Sequence, residues 1–184
     1  MRIAIYGGSF NPPHIGHLMV SAWLRWTDQV DEVWLLPAFS HPFAKELAPF
    51  AERVSLCEAA TSALDGVSVC AIEAHLPVPS YSIDTLTALA GRHPEHRFRF
   101  VLGADALAEV DRWKEWDRLQ ARFPPIPVGR QGYPTPPGAI DFPGISSTEI
   151  RRRAWQQRPI AHLVPGVICP RVEALYGPPP GSEP

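Results

Sequence analysis

Residues 7–17 read Gly7-Gly8-Ser9-Phe10-Asn11-Pro12-Pro13-His14-Ile15-Gly16-His17, directly after the alternating apolar run Arg2-Ile3-Ala4-Ile5-Tyr6. That order predicts a buried strand, then a glycine turn, then a helix that begins near His14. The three-residue spacing of His14 and His17 places both imidazoles on one face of the first helical turn. The unpaired backbone N–H groups and the positive dipole end of that turn lie close by. We therefore expect this corner to hold an anion, and a nucleotide phosphate fits it best.

Length and composition limit the kind of protein. The chain has 184 residues, 45% of them hydrophobic and 20% charged, which is ordinary for a globular domain with a full core. The net charge of −2 and the isoelectric point near 6.4 argue against a broad nucleic-acid surface. No stretch is apolar for long enough to cross a bilayer, and we expect no secretion leader because the predicted strand and the motif begin at once. We expect a cytoplasmic protein that binds neither nucleic acid nor membrane, with its oligomeric state left open.

Prolines and cysteines refine this outline. Many of the 22 prolines lie within residues 123–144, which predicts an irregular surface connection. We expect residues 1–176 to form one domain and residues 177–184 to form a flexible proline-rich tail. The cysteines lack the spacing of a disulfide framework or a zinc site, so we expect buried small hydrophobic residues at Cys57, Cys70 and Cys169.

Apolar periodicity predicts strands that alternate with helices along the chain. The predicted strands cover residues 2–6, 33–36, 67–72 and 97–102, and the predicted helices cover residues 14–27, 49–64, 84–91, 113–122, 147–157 and 165–175. This alternation indicates an α/β fold: a doubly wound, mainly parallel sheet with helices on both faces and a small C-terminal helical part. Ligands of such sheets bind beyond the carboxyl ends of the strands. The segments that follow the predicted strands are then expected at one edge of the sheet: residues 7–17, 37–45, 80–82 and 103–113.

The histidine pair, His14 and His17, indicates a catalytic site when it is taken together with the glycines. Gly7 and Gly8 let the backbone approach a ligand closely because they carry no Cβ. Two imidazoles at this corner can donate hydrogen bonds to phosphate oxygens and stabilise the charge that grows during phosphoryl or nucleotidyl transfer. Neither the P-loop spacing nor the dinucleotide-binding GxGxxG spacing is present.

A second anion site is predicted at the start of the helix over residues 147–157. Ser146 and Glu149 have the S-x-x-E spacing of a capping box, which by itself only caps a helix. The residues that flank this helix start would also bind an anion there: Ser147, Thr148 and Arg151. Arg151 and Arg152 cannot both face one ligand at helical spacing, so one of them is expected to be surface charge.

These stretches resemble, in order, the signatures of one enzyme family. The run GGSFNPPHIGHL at residues 7–18 is similar to the N-terminal signature of the HIGH-motif nucleotidyltransferase superfamily, specifically of nicotinate (or nicotinamide) mononucleotide adenylyltransferases. Residues 79–86 resemble that family's PSYTxxTL segment, and residues 103–107 with Trp113 resemble its GxDxL…W segment. Residues 145–153 resemble its ISSTxIRxR motif, and the ending over residues 163–177 is also similar. The five matches cover most of the chain.

The resemblance implies a Rossmann-like fold and a defined reaction. ATP and nicotinate mononucleotide would give nicotinate adenine dinucleotide and pyrophosphate in NAD biosynthesis, with Mg²⁺ held mainly by the substrate phosphates. The attacking phosphate is already ionised, so no protein nucleophile is required. The alternatives are transfer to nicotinamide mononucleotide, another nucleotidyl transfer such as that to phosphopantetheine or FMN, and a non-catalytic nucleotide-binding protein.

The resemblance also implies roles for residues that bind ATP. His17 would contact the α-phosphate and His14 the outer phosphates, while Lys45 and Arg151 would neutralise the departing pyrophosphate. Asp105 would hold the adenylate ribose, although a helix N-cap is the alternative role for this residue. The residues implied to bind ATP are Gly8, Ser9, Phe10, Gly103, Asp105, Ser146, Ser147 and Thr148. The resemblance assigns no residue to a metal.

Lys45 lies where the chain departs from the family pattern. The family carries a PPHK-like segment after the second strand, whereas this chain has Ser40-His41-Pro42-Phe43-Ala44-Lys45. Lys45 is therefore either the phosphate-binding lysine or an exposed loop residue.

A further set of residues is implied to bind the mononucleotide: Tyr81, Ser82, Trp113 and Arg130. Trp113 would stack on the pyridine ring, and Trp116 would then be a core residue. Ser82 replaces the usual threonine of the family. Residues 129–133 lack the proline of the family's RPGY turn, which leaves Arg130 either lining the mononucleotide pocket or capping its loop.

Overall fold

Six strands form one sheet in the described part of the chain: β1 (Arg2–Gly8), β2 (Glu32–Pro37), β3 (Val67–Val69), β4 (Arg97–Gly103), β5 (Pro125–Arg130) and β6 (Asp141–Phe142). The helices are α1 (Ile15–Trp26), α2 (Phe50–Thr61), α3 (Ser82–Arg92), α4 (Ala104–Leu107), α5 (Trp116–Arg122), α6 (Ser147–Trp155) and α7 (Cys169–Tyr176). Short 3-10 turns lie at Ile72–His75, Val110–Arg112 and Gly166–Ile168. This computed structural model describes residues 1–40 and 47–179, so Lys45 and residues 180–184 of the predicted tail lie outside the described residues. None of the described helices is long and apolar enough to span a bilayer.

The sheet has the spatial order β3-β2-β1-β4-β5-β6, and each neighbouring pair of strands is parallel. This is the Rossmann-like strand order, which confirms the predicted doubly wound α/β fold. The order reverses between β1 and β4, so the connections that leave these two strands turn to opposite faces of the sheet. The crevice between their carboxyl ends is where such sheets bind ligands. The glycine turn after β1 and Gly103 at the end of β4 both lie there.

The core lies on both faces of the sheet because side chains alternate along β1. Ile3 and Ile5 are buried on the face that α3 and α5 cover, in a cluster with Leu86 and Leu119. Ala4, between them, is buried on the opposite face, which α1 covers. A third cluster joins α2 to the helices at the end of the chain through Leu56, Ala60, Ile150, Ala154, Ile160, Ile168 and Val172. The expected C-terminal helical part is therefore packed on α2.

The proline-rich connection is more ordered than predicted, because it contains β5. Pro125 and Pro127 belong to this strand, and the residue that follows each of them, Ile126 and Val128, is buried. Backbone N–H groups alternate in direction along a strand, and the N–H of Gly129 points towards β6 and donates to the carbonyl of Ile140, the residue before that strand. Both prolines therefore lack only the N–H groups on that same side. The N–H groups that face β4 remain, so the strand forms despite its prolines.

Three further predictions are corrected by the structure. The helix predicted over residues 113–122 begins only at Trp116, because Glu115 has left-handed backbone with φ of 52°. The third strand ends at Val69, and the chain continues into the 3-10 turn. All three cysteines are free, but only Cys57 is buried, whereas Cys70 and Cys169 are half-buried.

Candidate active site

The histidine pair lies at the start of α1, and a hydrogen bond between the two histidines caps this end of the helix. His14 is the N-cap residue, and its backbone N–H donates to Nδ1 of His17 over 3.1 Å. The two rings are stacked, with 3.7 Å between their centres and 18° between their planes. Because Nδ1 of His17 accepts a hydrogen bond, the proton of the neutral ring must lie on Nε2. The local backbone thus fixes His17 as a donor through Nε2.

Both imidazoles are neutral at pH 7. Burial, assisted by the positive charge of Arg130, lowers the pKa of His14 to about 4. Burial also holds the pKa of His17 well below its ordinary value, with further lowering from His14 and Arg130. A neutral imidazole that donates one hydrogen bond stabilises developing charge without carrying a charge of its own. An arriving triphosphate would raise both pKa values, since an anion favours the protonated form.

Aromatic side chains hold the His17 ring from the side of the sheet. The Phe10 ring meets it edge-on with 4.8 Å between ring centres, and the Tyr6 ring does so at 5.7 Å. Phe10 is only 2% exposed, so its side chain packs against His17 and cannot contact a ligand. Only the backbone of Phe10 could bind one. A Cβ at Gly8 would lie 3.3 Å from the Phe10 ring, which leaves little room for any other residue at this position.

Asp105 and Arg130 form an ion pair near the histidine pair. Nη1 of Arg130 lies 2.5 Å from Oδ2 of Asp105, and its Nη2 donates to the carbonyl of Ile145. The two roles considered for Arg130, contact with the mononucleotide and capping of its loop, both stay predictions. Asp105 does not cap a helix, since Gly103 is the N-cap of α4. A Cβ at Gly103 would lie 2.5 Å from the Asp105 carboxylate, so this carboxylate can lie against the backbone of residue 103 only because that residue is glycine.

The start of α6 docks on the segment that precedes the histidine pair. Ser147 Oγ donates to the carbonyl of Pro12 over 2.8 Å, and Nη1 of Arg151 donates to the carbonyl of Asn11 over 2.6 Å. Thr148 Oγ1 lies 3.4 Å from the Arg151 guanidinium. The structure therefore brings the two predicted anion sites together at one corner.

The predicted capping box at α6 is wrong. Ser146 is the N-cap residue but makes no side-chain cap hydrogen bond. Glu149 pairs instead with Arg152 and Arg153 on the helix surface, because both guanidinium groups lie within one helical turn of it. Arg152 thus points to the surface while Arg151 faces Asn11, which confirms that the two arginines diverge.

Arg53 is a buried residue that links separate segments of this corner, and no sequence motif indicated it. Arg53 of α2 is 1% exposed and donates to the carbonyls of Ser9 over 2.7 Å and Ala48 over 2.9 Å. Its helical spacing to the buried Cys57 was the available signal, because residues four apart share a helix face. Arg53 therefore fixes the glycine turn and the residues that follow the undescribed segment.

Asn11 is a second missed residue, and it joins three parts of the chain. Its Oδ1 accepts hydrogen bonds from the backbone N–H of Ala48 over 3.1 Å and from the Tyr176 hydroxyl over 2.6 Å. Its backbone carbonyl accepts from Arg151. Asn11 thus links the glycine turn to α7 as well as to α6.

Three of the four residues expected to bind the mononucleotide, Tyr81, Ser82 and Trp113, lie in a region separate from Arg130 and the histidine pair. Trp113 packs on Phe100 of β4, with 6.2 Å between ring centres, and meets Trp116 edge-on at 5.9 Å. Both tryptophans are half-buried, so the exposure of the rings does not separate a stacking residue from a core residue. Lys114 lies over the Tyr81 ring at 4.9 Å and pairs with Asp84 of α3 over 2.8 Å. The Trp113 segment and the start of α3, which contains Ser82, are thus joined beside β4.

Comparisons with known proteins agree with this architecture. Residues 5–153 match the cytidylyltransferase-like family model. A protein of Anaeromyxobacter sp. (strain K), named a probable nicotinate-nucleotide adenylyltransferase, is 52% identical over 94% of each chain. One of the same name from Myxococcus xanthus is 37% identical over 96% of this chain and 95% of the relative.

Solved structures show the same fold at lower sequence identity. The nicotinic acid mononucleotide adenylyltransferase of Plasmodium falciparum, complexed with NaAD, superposes with a TM-score of 0.78 at 22% identity, over 91% of this chain and 92% of that one. Its complex with APC gives a TM-score of 0.77 at 20% identity, over 95% and 98% of the two chains. The family match and the identity to the bacterial relatives show that the chain belongs to the cytidylyltransferase-like family and, within it, to the nicotinate-nucleotide adenylyltransferases.

Proposed function

We propose that this chain joins ATP and nicotinate mononucleotide to give nicotinate adenine dinucleotide and pyrophosphate, a step of NAD biosynthesis. The observation that carries the proposal is the neutral, stacked histidine pair at the switch point of the sheet, with the Nε2–H donor of His17 fixed by its own helix cap. The names of the bacterial relatives support the same reaction.

The chemistry is an in-line displacement at the α-phosphorus of ATP. An oxygen of the mononucleotide phosphate forms the new bond, and the bond from the α-phosphorus to the bridging oxygen of pyrophosphate breaks. The attacking oxygen is already ionised, so the protein supplies positioning and charge stabilisation. The Nε2–H of His17 would donate to an α-phosphate oxygen, and His14 would contact the outer phosphates.

Positive charge at the same corner would neutralise the departing pyrophosphate. Arg151 already lies beside the glycine turn, where it donates to the Asn11 carbonyl. Ser147 and Thr148 bring their hydroxyls to the same helix start. We assign Lys45 to the same role from the family pattern, since it lies outside the described residues.

The adenosine and pyridine ends of the two substrates would bind at different strand ends. We place the adenylate ribose at Asp105, where the carboxylate would exchange part of its contact with Arg130 for a ribose hydroxyl. We place the pyridine ring against Trp113, with the backbone N–H groups of Tyr81 and Ser82 facing its carboxylate. Exposure of both tyrosine and serine at the start of α3 is consistent with a ligand there.

The described residues of this corner do not fit a magnesium ion held by protein side chains. Within residues 1–40 and 47–179, the one trio of histidine, cysteine or carboxylate groups close enough to share a cation lies elsewhere, at His93, Glu95 and His96. Asp105 is paired with Arg130. We propose that Mg²⁺ comes with the triphosphate, bound by phosphate oxygens and water, which is its usual mode in such sites.

A pyrophosphate-release assay with ATP and four acceptors in parallel tests the proposal: nicotinate mononucleotide, nicotinamide mononucleotide, phosphopantetheine and FMN. We expect the highest kcat/KM with nicotinate mononucleotide. A higher kcat/KM with another acceptor would show that nicotinate mononucleotide is not the preferred substrate, while the reaction would still be adenylyl transfer. Binding of ATP without pyrophosphate release from any acceptor would contradict the enzymatic proposal.

A further inference from the structure

A turn at the other end of the sheet carries two histidines and a glutamate. It reads His93-Pro94-Glu95-His96 and connects α3 to β4. The backbone N–H of His96 donates to the carbonyl of His93 over 3.1 Å, and proline at the second position is typical of such turns. The closed turn holds the two imidazoles parallel, with 2° between their planes and 5.6 Å between their centres.

The Glu95 carboxylate lies against both rings. Its Oε1 is 3.2 Å from Nε2 of His96 and 3.8 Å from Nδ1 of His93, and the three atoms all lie within 4.8 Å of one another. Two atoms that both bind a tetrahedral zinc ion at about 2.1 Å are roughly 3.4 Å apart. The separations in this turn lie close to that value, so small side-chain movements would bring all three atoms onto one cation.

The surroundings determine which atoms can bind. Nδ1 of His96 is buried and has no hydrogen-bond partner among the described residues, so this ring offers Nε2 to a ligand. Trp34 of β2 meets both rings edge-on, with 5.4 Å to the centre of the His93 ring and 6.1 Å to that of His96. His93 also lines an open cavity of about 490 Å³, which gives a cation a path to the turn.

We propose that His93, Glu95 and His96 bind a divalent transition-metal ion of the zinc class, with water completing its coordination. Two imidazoles and one carboxylate form a ligand set that suits zinc better than magnesium or calcium, which prefer oxygen ligands. The site precedes β4, whereas the nucleotide corner follows it, so the length of this strand, about 20 Å, separates the two. A bound ion would fasten the end of α3 to the start of β4.

Zinc titration of the full chain by calorimetry, without nucleotide, tests the proposal. We expect saturable binding of Zn²⁺ that weakens about tenfold or more in Glu95→Gln and in His93→Ala. Both side chains are partly exposed, so neither variant should disturb the fold, and circular dichroism checks this. His162→Ala, an exposed histidine away from the turn, should bind Zn²⁺ as the parent does. Absence of saturable binding, or equal affinity in Glu95→Gln and the parent, would overturn the proposal.

Fluorescence locates the ion independently of affinity. Co²⁺ or Ni²⁺ bound at the turn would quench Trp34, which touches both ligand rings. We expect a saturable loss of emission in the parent, and its absence both in Trp34→Phe and in Glu95→Gln. Quenching that persists in Glu95→Gln at the same metal concentration would place the ion elsewhere and overturn the assignment.

Discussion

His17 receives a 3.1 Å hydrogen bond on Nδ1 from the backbone N–H of His14, so a single contact both caps α1 and sets the tautomer of the proposed catalytic ring. The two functions can be separated by substitution, because an asparagine side chain places its oxygen near the position of Nδ1 but has nothing at the position of Nε2. The helix cap would survive while the phosphate donor is lost.

We predict that His17→Asn lowers kcat by about 10²-fold, the typical effect of removing one such donor. Its free energy of unfolding should stay near that of the parent, whereas His17→Ala should lose about 1 kcal/mol more because the cap is also removed. Pyrophosphate release and urea unfolding measure the two effects, with His162→Asn as the control. Turnover of His17→Asn within a factor of a few of the parent would rule out the donor role.

Stability should fall in mild acid because of the buried imidazoles. The pKa of His14 is about 4 in the native state and about 6.5 in an unfolded chain. Between these values the unfolded state binds more protons, so the free energy of unfolding decreases as the pH falls from about 6.5 to about 4. For His14 the loss is on the order of 3 kcal/mol.

Urea unfolding at several pH values checks this prediction. His14→Gln does not titrate, so its stability should decline less steeply with acid than that of the parent. His162→Gln, a substitution at an exposed position, is the control variant. If the parent and His14→Gln have the same slope, the His14 imidazole is not excluded from protonation by burial.

Removal of the Arg130 charge should make His14 easier to protonate. The guanidinium is one cause of the low pKa of His14, and Arg130→Gln would also leave the Asp105 carboxylate unpaired. Both changes favour the imidazolium, so we predict a higher pKa for His14 in this variant. Histidine resonances followed by NMR over pH measure it, and Arg152→Gln, on the outer surface of α6, is the matched control. An unchanged His14 titration would show that Arg130 lies too far away to act.

Arg53→Met should be strongly destabilising. The substitution keeps much of the buried volume but removes the guanidinium donors to the carbonyls of Ser9 and Ala48. We expect a loss of about 3 kcal/mol in the free energy of unfolding, because hydrogen bonds from a charged donor to two carbonyls are removed. Arg158→Met, at an exposed position, should change it little. Equal stability of the two variants in urea would contradict the role of Arg53 in fixing the glycine turn.

Local patterns made the centre of the fold predictable. The alternation in β1, the glycine turn and the histidine spacing all depend on residues close together in the chain, and they predicted the strand, the turn and the start of α1. The parallel order followed from the alternation of strands with helices. The β5 strand was missed because proline is generally unfavourable in strands. In β5 the backbone nitrogen of each proline faces away from β4, so the hydrogen bonds to β4 are kept.

The candidate site was less predictable because its contacts join distant segments. Arg151 reaches Asn11 across 140 positions, and Tyr176 reaches it across 165. Ser146 and Glu149 have the spacing of a capping box, but Glu149 forms ion pairs with Arg152 and Arg153 instead. These contacts depend on which side chains the fold brings together, and the spacing of residues along the chain does not indicate this.

A crystal structure of the chain with a non-hydrolysable ATP analogue would show directly whether the histidine pair binds the reacting phosphates. We expect Nε2 of His17 to lie within about 3 Å of an α-phosphate oxygen. A triphosphate bound with every oxygen beyond hydrogen-bonding distance of both imidazoles would contradict it.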